Sequence, residues 1–362
     1  MSSGSRRGNS MTADSSVPES LRHSKKHSDA ILDWLRGKGK TLIIIHDNPD
    51  PDCLASAMAL RHLLAMKLSR EAVIAFSGMI GRSENIAMAK KLEITLIPLE
   101  MVDLDEFSVV CMLDTQPGTG NNSLPTDCRV DIVIDHHPLR EASKKCRWLD
   151  IREEYGVTAT ILYEYLIAQN IHIGTKLATA MFYAIKSETQ DLGREANQPD
   201  RDAYLHLFPV ANKRLLYEIT HPKLPVEHFQ TMHSGVENAM IYGKLLVVNL
   251  RAICFPEVVS EIADYLIRLE GIETVLGMGH YNDEVILSIR TTSTHLNAGE
   301  IIKRLVAGRG MGGGHGMMAG GILDNVPFDL AALKEVEEFL TRTLLVELSI
   351  GDVIPDRLIK SH

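Results

Sequence analysis

The sequence has few cysteines, and their spacing excludes two common kinds of site. The five cysteines are odd in number and include no C-x-x-C pair, so neither a disulfide framework nor a thiolate zinc site is favoured. Apolar runs such as 42–45 and 109–113 are strand-sized, far below the roughly 20 residues of a membrane-spanning helix. The N-terminal stretch 1–18 lacks the apolar segment of a secretory signal. We therefore expect a soluble cytoplasmic protein that does not bind membranes.

Basic residues are also in deficit. The chain has 38 Lys and Arg against 47 Asp and Glu, a formal net charge of −9. A protein that coats long nucleic acid or a membrane surface needs an excess of cations, so both classes are disfavoured. A small phosphate-bearing substrate remains compatible, because a few local cations or metal ions can reverse the field inside one site. The 362 residues suggest about two domains.

The apolar pattern predicts an α/β fold. Runs at 41–46, 72–76, 109–113 and 130–134 have almost no polar alternation and are separated by amphipathic segments. Strands buried on both faces are typical of a parallel sheet covered by helices. A second block of strands and helices begins near residue 244 and contains a Gly-rich loop at 308–316. We expect an N-terminal parallel-sheet domain and a smaller α/β C-terminal domain, with a catalytic cleft between them.

Polar side chains follow three of the predicted strands. His46, Asp50 and Asp52 come after the first strand, Asp114 follows the strand at 109–113, and the strand at 130–134 leads into the 135–137 sequence Asp-His-His. Because the carboxyl ends of parallel strands meet at one edge of a sheet, these groups are expected to lie close together. Asp50 and Asp52 alone would be explained equally well as turn and helix-cap residues.

The number of candidate ligands indicates two metal ions. Four aspartates and two or three histidines exceed what one six-coordinate ion needs, and they suit two ions about 3.5–4 Å apart. Imidazole combined with carboxylate favours Mn²⁺, Mg²⁺, Co²⁺ or Zn²⁺. Such a pair is typical of enzymes that hydrolyse phosphate esters.

The motifs together resemble a known family. The series His46-x-x-x-Asp50-x-Asp52, then Asp114, then Asp135-His136-His137 resembles the DHH phosphoesterase superfamily. That superfamily includes nanoRNases and pAp phosphatases, RecJ-like exonucleases, cyclic-dinucleotide phosphodiesterases and family II inorganic pyrophosphatases. The sequence Gly312-Gly313-Gly314-His315 is similar to the G-G-G-H motif of the DHH-associated C-terminal domain. The two resemblances cover nearly the whole chain beyond the N-terminal tail.

The resemblance implies a role for each metal-site residue. His46 and Asp50 would bind the first metal ion, and Asp52 and His136 would bind the second. Asp114 would bridge the two ions and thereby belong to the catalytic set.

The resemblance also implies roles beyond the metal ligands. His137 would face the scissile phosphate, with Asp135 behind it as an orienting carboxylate. The 312–315 segment would hold the distal part of the substrate through backbone N–H groups and an imidazole. Arg290 ends a predicted strand and Arg309 opens the Gly-rich loop, so both are candidate phosphate ligands.

One motif departs from the family pattern. The family has an Asp just before a Thr at its fourth metal motif, whereas this chain has Glu188 before Thr189 and Asp191 further on. Either Glu188 or Asp191 would bind metal, and the alternative is that both lie on a solvated helix end. The family's Gly-Ser after the first motif is replaced by Ala55-Ser56.

The resemblance leads to a domain division and a function. We expect a flexible tail at 1–22, a DHH catalytic domain at 23–203, a helical connector at 204–243, a DHH-associated substrate-binding domain at 244–348 and a C-terminal tail at 349–362. The predicted function is hydrolysis of short oligonucleotides, such as the dinucleotide pGpG, or of the nucleoside 3′,5′-bisphosphate pAp.

The expected cofactor is a pair of divalent ions, most simply Mn²⁺, with Mg²⁺ and Co²⁺ also compatible. The expected partner is a short oligonucleotide or mononucleotide substrate rather than long nucleic acid, and a homodimer is left open. The alternatives are a pyrophosphatase or exopolyphosphatase activity, a cyclic-dinucleotide phosphodiesterase, and a non-catalytic nucleotide-binding sensor.

Overall fold

The computed structural model describes residues 18–193, 196–351 and 353–360, and for His315 the backbone alone. The chain divides into two compact units. The first contains residues up to 80 together with 84–222, and the second contains 81–83 and the residues from 223 onward. Residues 1–17 of the predicted N-terminal tail lie outside the described residues.

In the described part of the first unit, six strands form one sheet in the order β3-β2-β1-β4-β5-β6, and every pairing is parallel. The strands are β1 (Lys40–Ile44), β2 (Ala72–Phe76), β3 (Ile97–Pro98), β4 (Phe107–Leu113), β5 (Ile132–Asp135) and β6 (Trp148–Ile151). The predicted N-terminal parallel sheet is therefore confirmed. The short edge strand β6 was not among the predicted strands.

The α-helices of this unit pack on one face of the sheet, whereas residues of the connecting segments, such as Leu124, cover the other face. The helices are α1 (Glu19–Leu35), α2 (Pro51–Leu68), α3 (Ser83–Lys91), α4 (Thr158–Ala168), α5 (Thr175–Glu188), α6 (Gln198–Val210) and α7 (Lys213–Thr220). Ile43 of β1 packs into one core, whereas Leu42 and Ile44 pack into the core on the other face. Burial on both faces explains why the strand sequences lack polar alternation.

The second unit has a mixed sheet in the order β11-β12-β10-β9-β8-β7-β13. Its described strands are β7 (Met240–Tyr242), β8 (Leu245–Ala252), β9 (Thr274–Tyr281), β10 (Glu284–Thr291), β11 (Gly310–His315), β12 (Met318–Leu323) and β13 (Asp356–Arg357). Its helices are α8 (Val226–Asn238), α9 (Val258–Leu266), α10 (Ala298–Val306) and α11 (Leu330–Glu347). The β8–β9 pairing is parallel and the other pairings are antiparallel.

The element boundaries differ from the expected domain boundaries in three places. Residues 19–22, expected in the tail, belong to α1. The expected connector at 204–243 is divided, because α6 and α7 lie in the first unit and α8 in the second. Strand β13, expected in the C-terminal tail, pairs with β7 as the sheet's edge.

The expectation of a Gly-rich loop at 308–316 is wrong, since most of this segment forms strand β11. Its glycines pair with the glycines of β12, Gly312 opposite Gly321 and Gly313 opposite Gly320. Gly314 has a φ of 150°, and a Cβ there would lie 2.4 Å from the carbonyl oxygen of Met318. Two facing strands of small residues therefore pair where the composition alone favours a loop.

Candidate metal centre

The first part of the centre lies after β1, where the chain turns into α2. Asp50 caps this helix, since its Oδ1 accepts a hydrogen bond from the backbone N–H of Cys53 at 3.0 Å. Its Oδ2 lies 3.3 Å from Nε2 of His46. Asp50 can therefore be both a helix cap and a candidate metal ligand, because one oxygen caps the helix and the other faces the imidazole.

Asp52 is held rigidly at the base of the centre. It is 1% exposed, and its two oxygens accept hydrogen bonds of 2.7 Å from the backbone N–H groups of Thr158 and Ala159. These N–H groups belong to the first turn of α4, which satisfies a buried carboxylate there. Oδ2 of Asp52 also lies 3.9 Å from Nε2 of His136.

Asp114 stands between the two imidazoles. Its Oδ2 lies 3.6 Å from Nε2 of His46, and its Oδ1 lies 3.6 Å from Nε2 of His136. The Thr158 hydroxyl donates a hydrogen bond of 2.9 Å to Oδ1. Asp114 has a φ of 57°, a left-handed conformation that Asp adopts more readily than most residues. Each carboxylate oxygen of Asp114 thus faces a different group of candidate ligands.

The remaining ring nitrogens of both histidines are paired with backbone oxygens. Nδ1 of His46 lies 2.8 Å from the Asp47 carbonyl oxygen, and Nδ1 of His136 lies 3.0 Å from that of Tyr155. A carbonyl oxygen can only accept, so Nδ1 carries the proton in the neutral form of each ring and Nε2 then has the lone pair. This tautomer is the one in which Nε2 can bind a metal ion.

His137 is held by Asp135 at the same edge of the sheet. Nδ1 of His137 lies 2.9 Å from Oδ1 of Asp135, and the His137 side chain is 38% exposed. Burial opposes a charge on His137, but hydrogen bonding to Asp135 and the nearby Asp114 raise its pKa to about 9. The structure therefore places a cationic, accessible imidazole beside the candidate ligands.

Gln116 and Thr158 support the site and were not predicted from the sequence. The Gln116 amide donates to Oδ2 of Asp135 at 2.8 Å, and Gln116 is fully buried. Thr158 contacts both Asp52 and Asp114. Neither residue lies in a recognisable motif, and only the position of Gln116 two residues after Asp114 could have suggested its role.

Negative charge is crowded at the base of the centre. Burial and the nearby carboxylates of Asp114, Asp50 and Glu188 raise the pKa of Asp52 well above its usual range. Burial also opposes a charge on His46, but attraction to Asp50 and Asp114 raises its pKa. Bound cations would relieve the repulsion among the carboxylates and replace the proton on the imidazole. The donor set therefore fits divalent metal ions.

The structure distinguishes the two candidates of the fourth motif. Glu188 ends α5 close enough to Asp52 to raise its pKa. The carboxylate of Asp191 instead accepts hydrogen bonds from Lys186 at 2.6 Å and Tyr204 at 3.2 Å. Gln190, Asp191 and Leu192 all have positive φ, so the backbone turns sharply after the helix. Of the two residues, Glu188 is thus the one whose charge acts on Asp52 of the centre.

The candidate substrate-binding residues of the second unit lie at two ends of its sheet. Met318 of β12 pairs with both Arg290 and His315, so these two positions lie at one end of the sheet. Arg309 precedes Gly310 at the other end of β11, and Gly310 lies about 16 Å from His315 at roughly 3.3 Å per residue. The side chain of His315 lies outside the described residues.

Both arginines have partners within the second unit. Arg290 is 8% exposed, and its guanidinium contacts Asp264 through Nε and the Ser288 hydroxyl through Nη1 at 2.8 Å. The Arg309 guanidinium lies 5.2 Å from the centroid of the Phe339 ring. A phosphate-binding role for either arginine stays a prediction.

Clustered Asp and His side chains at the carboxyl ends of a parallel α/β sheet are typical of metal-dependent phosphoesterases. Residues 40–185 match the DHH family N-terminal domain, and residues 242–343 match the DHHA1 domain. The chain belongs to the DHH phosphoesterase superfamily, whose members are metal-dependent phosphoesterases.

The chain is also similar to individual proteins. An uncharacterized protein of Methanocaldococcus jannaschii is 35% identical over 322 residues, which are 87% of this chain and 65% of that protein. A probable manganese-dependent inorganic pyrophosphatase of Staphylococcus saprophyticus is 27% identical over 150 residues, covering 41% of this chain and 48% of the relative. The chain thus spans about two thirds of the first relative and half of the second.

A solved structure supports the fold. An exopolyphosphatase-related protein from Bacteroides fragilis superimposes with a TM-score of 0.71 at 14% identity, covering 89% of this chain and 98% of that chain.

Among the described residues, no helix combines the length and the apolar character needed to cross a membrane.

Proposed function

We propose that this protein is a two-metal phosphoesterase that hydrolyses short oligonucleotides, such as pGpG, or nucleoside 3′,5′-bisphosphates such as pAp. The observation that carries the proposal is the position of Asp114, whose two oxygens each lie 3.6 Å from a different imidazole. His46 and Asp50 would hold one ion, Asp52 and His136 the other, and Asp114 both. Glu188 completes the set from the end of α5.

Two divalent ions, for which Mn²⁺ is our first choice, would neutralise phosphate charge and activate water as the nucleophile. The chain's own contribution comes from His137. Its Nδ1 is engaged by Asp135, so Nε2 is the nitrogen that would donate a proton to the leaving oxygen. Gln116 holds Asp135 and thereby keeps this imidazole oriented.

The choice of a short substrate rests on charge and on the second domain. The formal net charge of −9 leaves few cations to track a long strand, whereas metal ions can attract one or two phosphates locally. A DHHA1 domain accompanies the metal-bearing domain in this chain. We propose that it holds the part of the substrate beyond the scissile phosphate.

A second candidate is hydrolysis of inorganic pyrophosphate or polyphosphate. It is favoured by the likeness to the probable manganese-dependent inorganic pyrophosphatase, which involves 150 residues of this chain. A metal centre held by these residues would suit both reactions, because each is an attack of water on a phosphorus atom.

A hydrolysis panel with Mn²⁺ tests the proposal. We expect turnover of pAp or of 5′-phosphorylated dinucleotides to exceed that of a 20-nucleotide oligomer by at least about tenfold, because the centre suits few phosphates. Cyclic dinucleotides, pyrophosphate and polyphosphate complete the panel. Asp114→Asn is expected to lower kcat by at least about 100-fold, since it removes charge shared by both ions. The exposed Asp127→Asn is the matched carboxylate control.

The outcomes separate the candidates. Preferential release of phosphate from pyrophosphate or polyphosphate would support the second candidate and contradict the first. Absence of turnover on every substrate with Mn²⁺, Mg²⁺ and Co²⁺, for a folded protein, would contradict both.

A further inference from the structure

A second cluster of metal-ligating side chains lies apart from the centre, between α1 and β6. His23 and His27 are four residues apart on α1, and Asp150 lies on the edge strand β6. One donor atom from each residue lies within 4.8 Å of the other two. Nε2 of His23 is 3.5 Å from Oδ1 of Asp150, and the two imidazole rings stack with centroids 4.4 Å apart.

One buried ring nitrogen of His27 has no hydrogen bond within the described part of the chain. Nδ1 of His27 is buried and has no hydrogen-bond partner among the residues that the structure describes. A buried polar atom without a partner costs free energy, so an unfilled ligand position is a physical explanation for it. Burial lowers the pKa of His27, and the ring is therefore neutral at pH 7 with a lone pair to offer.

Asp150 is already fixed in place. It is 3% exposed and accepts hydrogen bonds from Nε and Nη2 of Arg152 at 2.8 and 2.7 Å and from the Tyr165 hydroxyl at 2.7 Å. Its Oδ1 has two lone-pair directions, of which Nε of Arg152 uses one. The other direction is available toward His23, at 3.5 Å.

The charge around the cluster permits a cation. Arg152 also binds Glu164, through Nη1 at 2.7 Å, so one guanidinium is shared between two buried carboxylates. Asp150, Glu164 and Arg152 together carry an excess of one negative charge. A divalent ion would change this to an excess of one positive charge, which is no larger in magnitude.

The donor set also selects the kind of ion. Two imidazole nitrogens and one carboxylate oxygen suit Zn²⁺ and other borderline transition-metal ions better than Mg²⁺ or Ca²⁺. Metal–ligand bonds of about 2.0–2.1 Å in a tetrahedron place ligand atoms about 3.3–3.5 Å apart, in line with the His23–Asp150 separation. Two histidines at i and i+4 of a helix are a recurrent arrangement in zinc sites.

We propose that His23, His27 and Asp150 bind one Zn²⁺-type ion that clips helix α1 to the edge strand β6. The ion satisfies Nδ1 of His27 and joins two elements that are more than 100 residues apart in sequence. The site is separate from the two-metal centre, and its role is structural.

The test counts zinc in the full chain. Wild-type protein and the His23→Ala variant are dialysed against the same buffered Zn²⁺, and bound zinc per chain is measured by atomic absorption. We expect His23→Ala to lose one equivalent and to keep the zinc held at the two-metal centre. Because the His23 side chain is about half exposed, its removal does not threaten the fold. His233→Ala, an exposed helical histidine paired with Glu237, is the matched control and is expected to lose none.

Thermal unfolding gives an independent readout. Zn²⁺ at a large excess over its dissociation constant is expected to raise the Tm of the wild type by about 3–6 °C more than that of His23→Ala. His27→Ala, checked for folding by circular dichroism, is expected to behave like His23→Ala. Equal zinc content and equal Tm shifts for the wild type and folded His23→Ala would overturn the proposal.

Discussion

At the scale of single residues, Asp114 is the point where the two halves of the centre meet. It is 2% exposed, adopts a left-handed backbone conformation and is bonded by Thr158. Non-glycine residues that their surroundings hold in this conformation cluster at functional sites. The motif spacing could predict which side chains meet here. It could not predict Thr158 and Gln116, because residues that hold a ligand through one hydrogen bond have no fixed spacing in the sequence.

The two acidic residues of the fourth motif are expected to differ in their contribution to Mn²⁺ binding. Glu188→Gln is expected to weaken Mn²⁺ binding by about 10–100-fold, because it removes a carboxylate that acts on Asp52. Asp191→Asn is expected to change Mn²⁺ affinity by less than about threefold, since its carboxylate is bonded to Lys186 and Tyr204. Isothermal titration of metal-free protein with Mn²⁺ measures both. A larger loss in Asp191→Asn than in Glu188→Gln would reverse the assignment.

At the scale of elements, strands with apolar runs were predictable and strands with unusual composition were not. The sequence predicts β2 at the bounds that the structure shows, because 72–76 is apolar and flanked by polar residues. Strand β6 contains Asp150, whose charge is compensated by Arg152 from just beyond the strand. Strand β11 is glycine-rich and depends on pairing with the glycines of β12. Neither strand therefore has the uninterrupted apolar run by which the other strands were recognised.

Alanine substitution of two neighbouring glycines tests the backbone conformation of β11. Gly314→Ala places a Cβ 2.4 Å from a carbonyl oxygen at a φ of 150°, whereas a Cβ on Gly313 meets no atom within 4 Å. We expect Gly314→Ala to lower the free energy of unfolding by at least about 2 kcal/mol and Gly313→Ala to change it by less than about 1 kcal/mol. Urea unfolding followed by circular dichroism measures both. Equal effects would show that β11 does not have this conformation.

The buried carboxylate of β6 gives a prediction about acid stability in metal-free buffer. Burial opposes the charge on Asp150, but its hydrogen bonds and attraction to Arg152 lower its pKa below the usual value. A carboxyl group whose pKa is lower in the folded state stabilises that state at pH values above its unfolded pKa of about 3.9. This stabilisation disappears as the pH falls through the pKa of the folded state.

Asp150→Asn is therefore expected to lower the free energy of unfolding by about 3 kcal/mol at pH 7, because it leaves Arg152 partly uncompensated. The difference from the wild type is expected to shrink as the pH falls below about 4. Urea unfolding of both proteins at several pH values, with a chelator present, measures it. A difference that does not depend on pH would contradict this electrostatic explanation.

At the scale of the whole molecule, each compact unit carries one of the family domains. The DHH match at 40–185 lies mostly in the first unit, and the DHHA1 match at 242–343 lies in the second. Acidic composition was a poor guide to ligand charge, because several aspartates lie in the candidate metal centre. Two divalent ions would add about four positive charges where a count of residues records only negative ones. The net charge of −9 therefore disfavours long nucleic acid without disfavouring a short phosphate substrate.

Electron paramagnetic resonance of Mn²⁺-loaded protein shows whether two ions share Asp114. We expect two Mn²⁺ per chain at the centre and a spectrum of exchange-coupled ions in the wild type, because a shared carboxylate holds the pair about 3.5–4 Å apart. In Asp114→Asn the coupling is expected to disappear, while Asp127→Asn keeps it. A wild-type protein that binds a single Mn²⁺, or two ions with uncoupled spectra, would contradict the proposed sharing of Asp114.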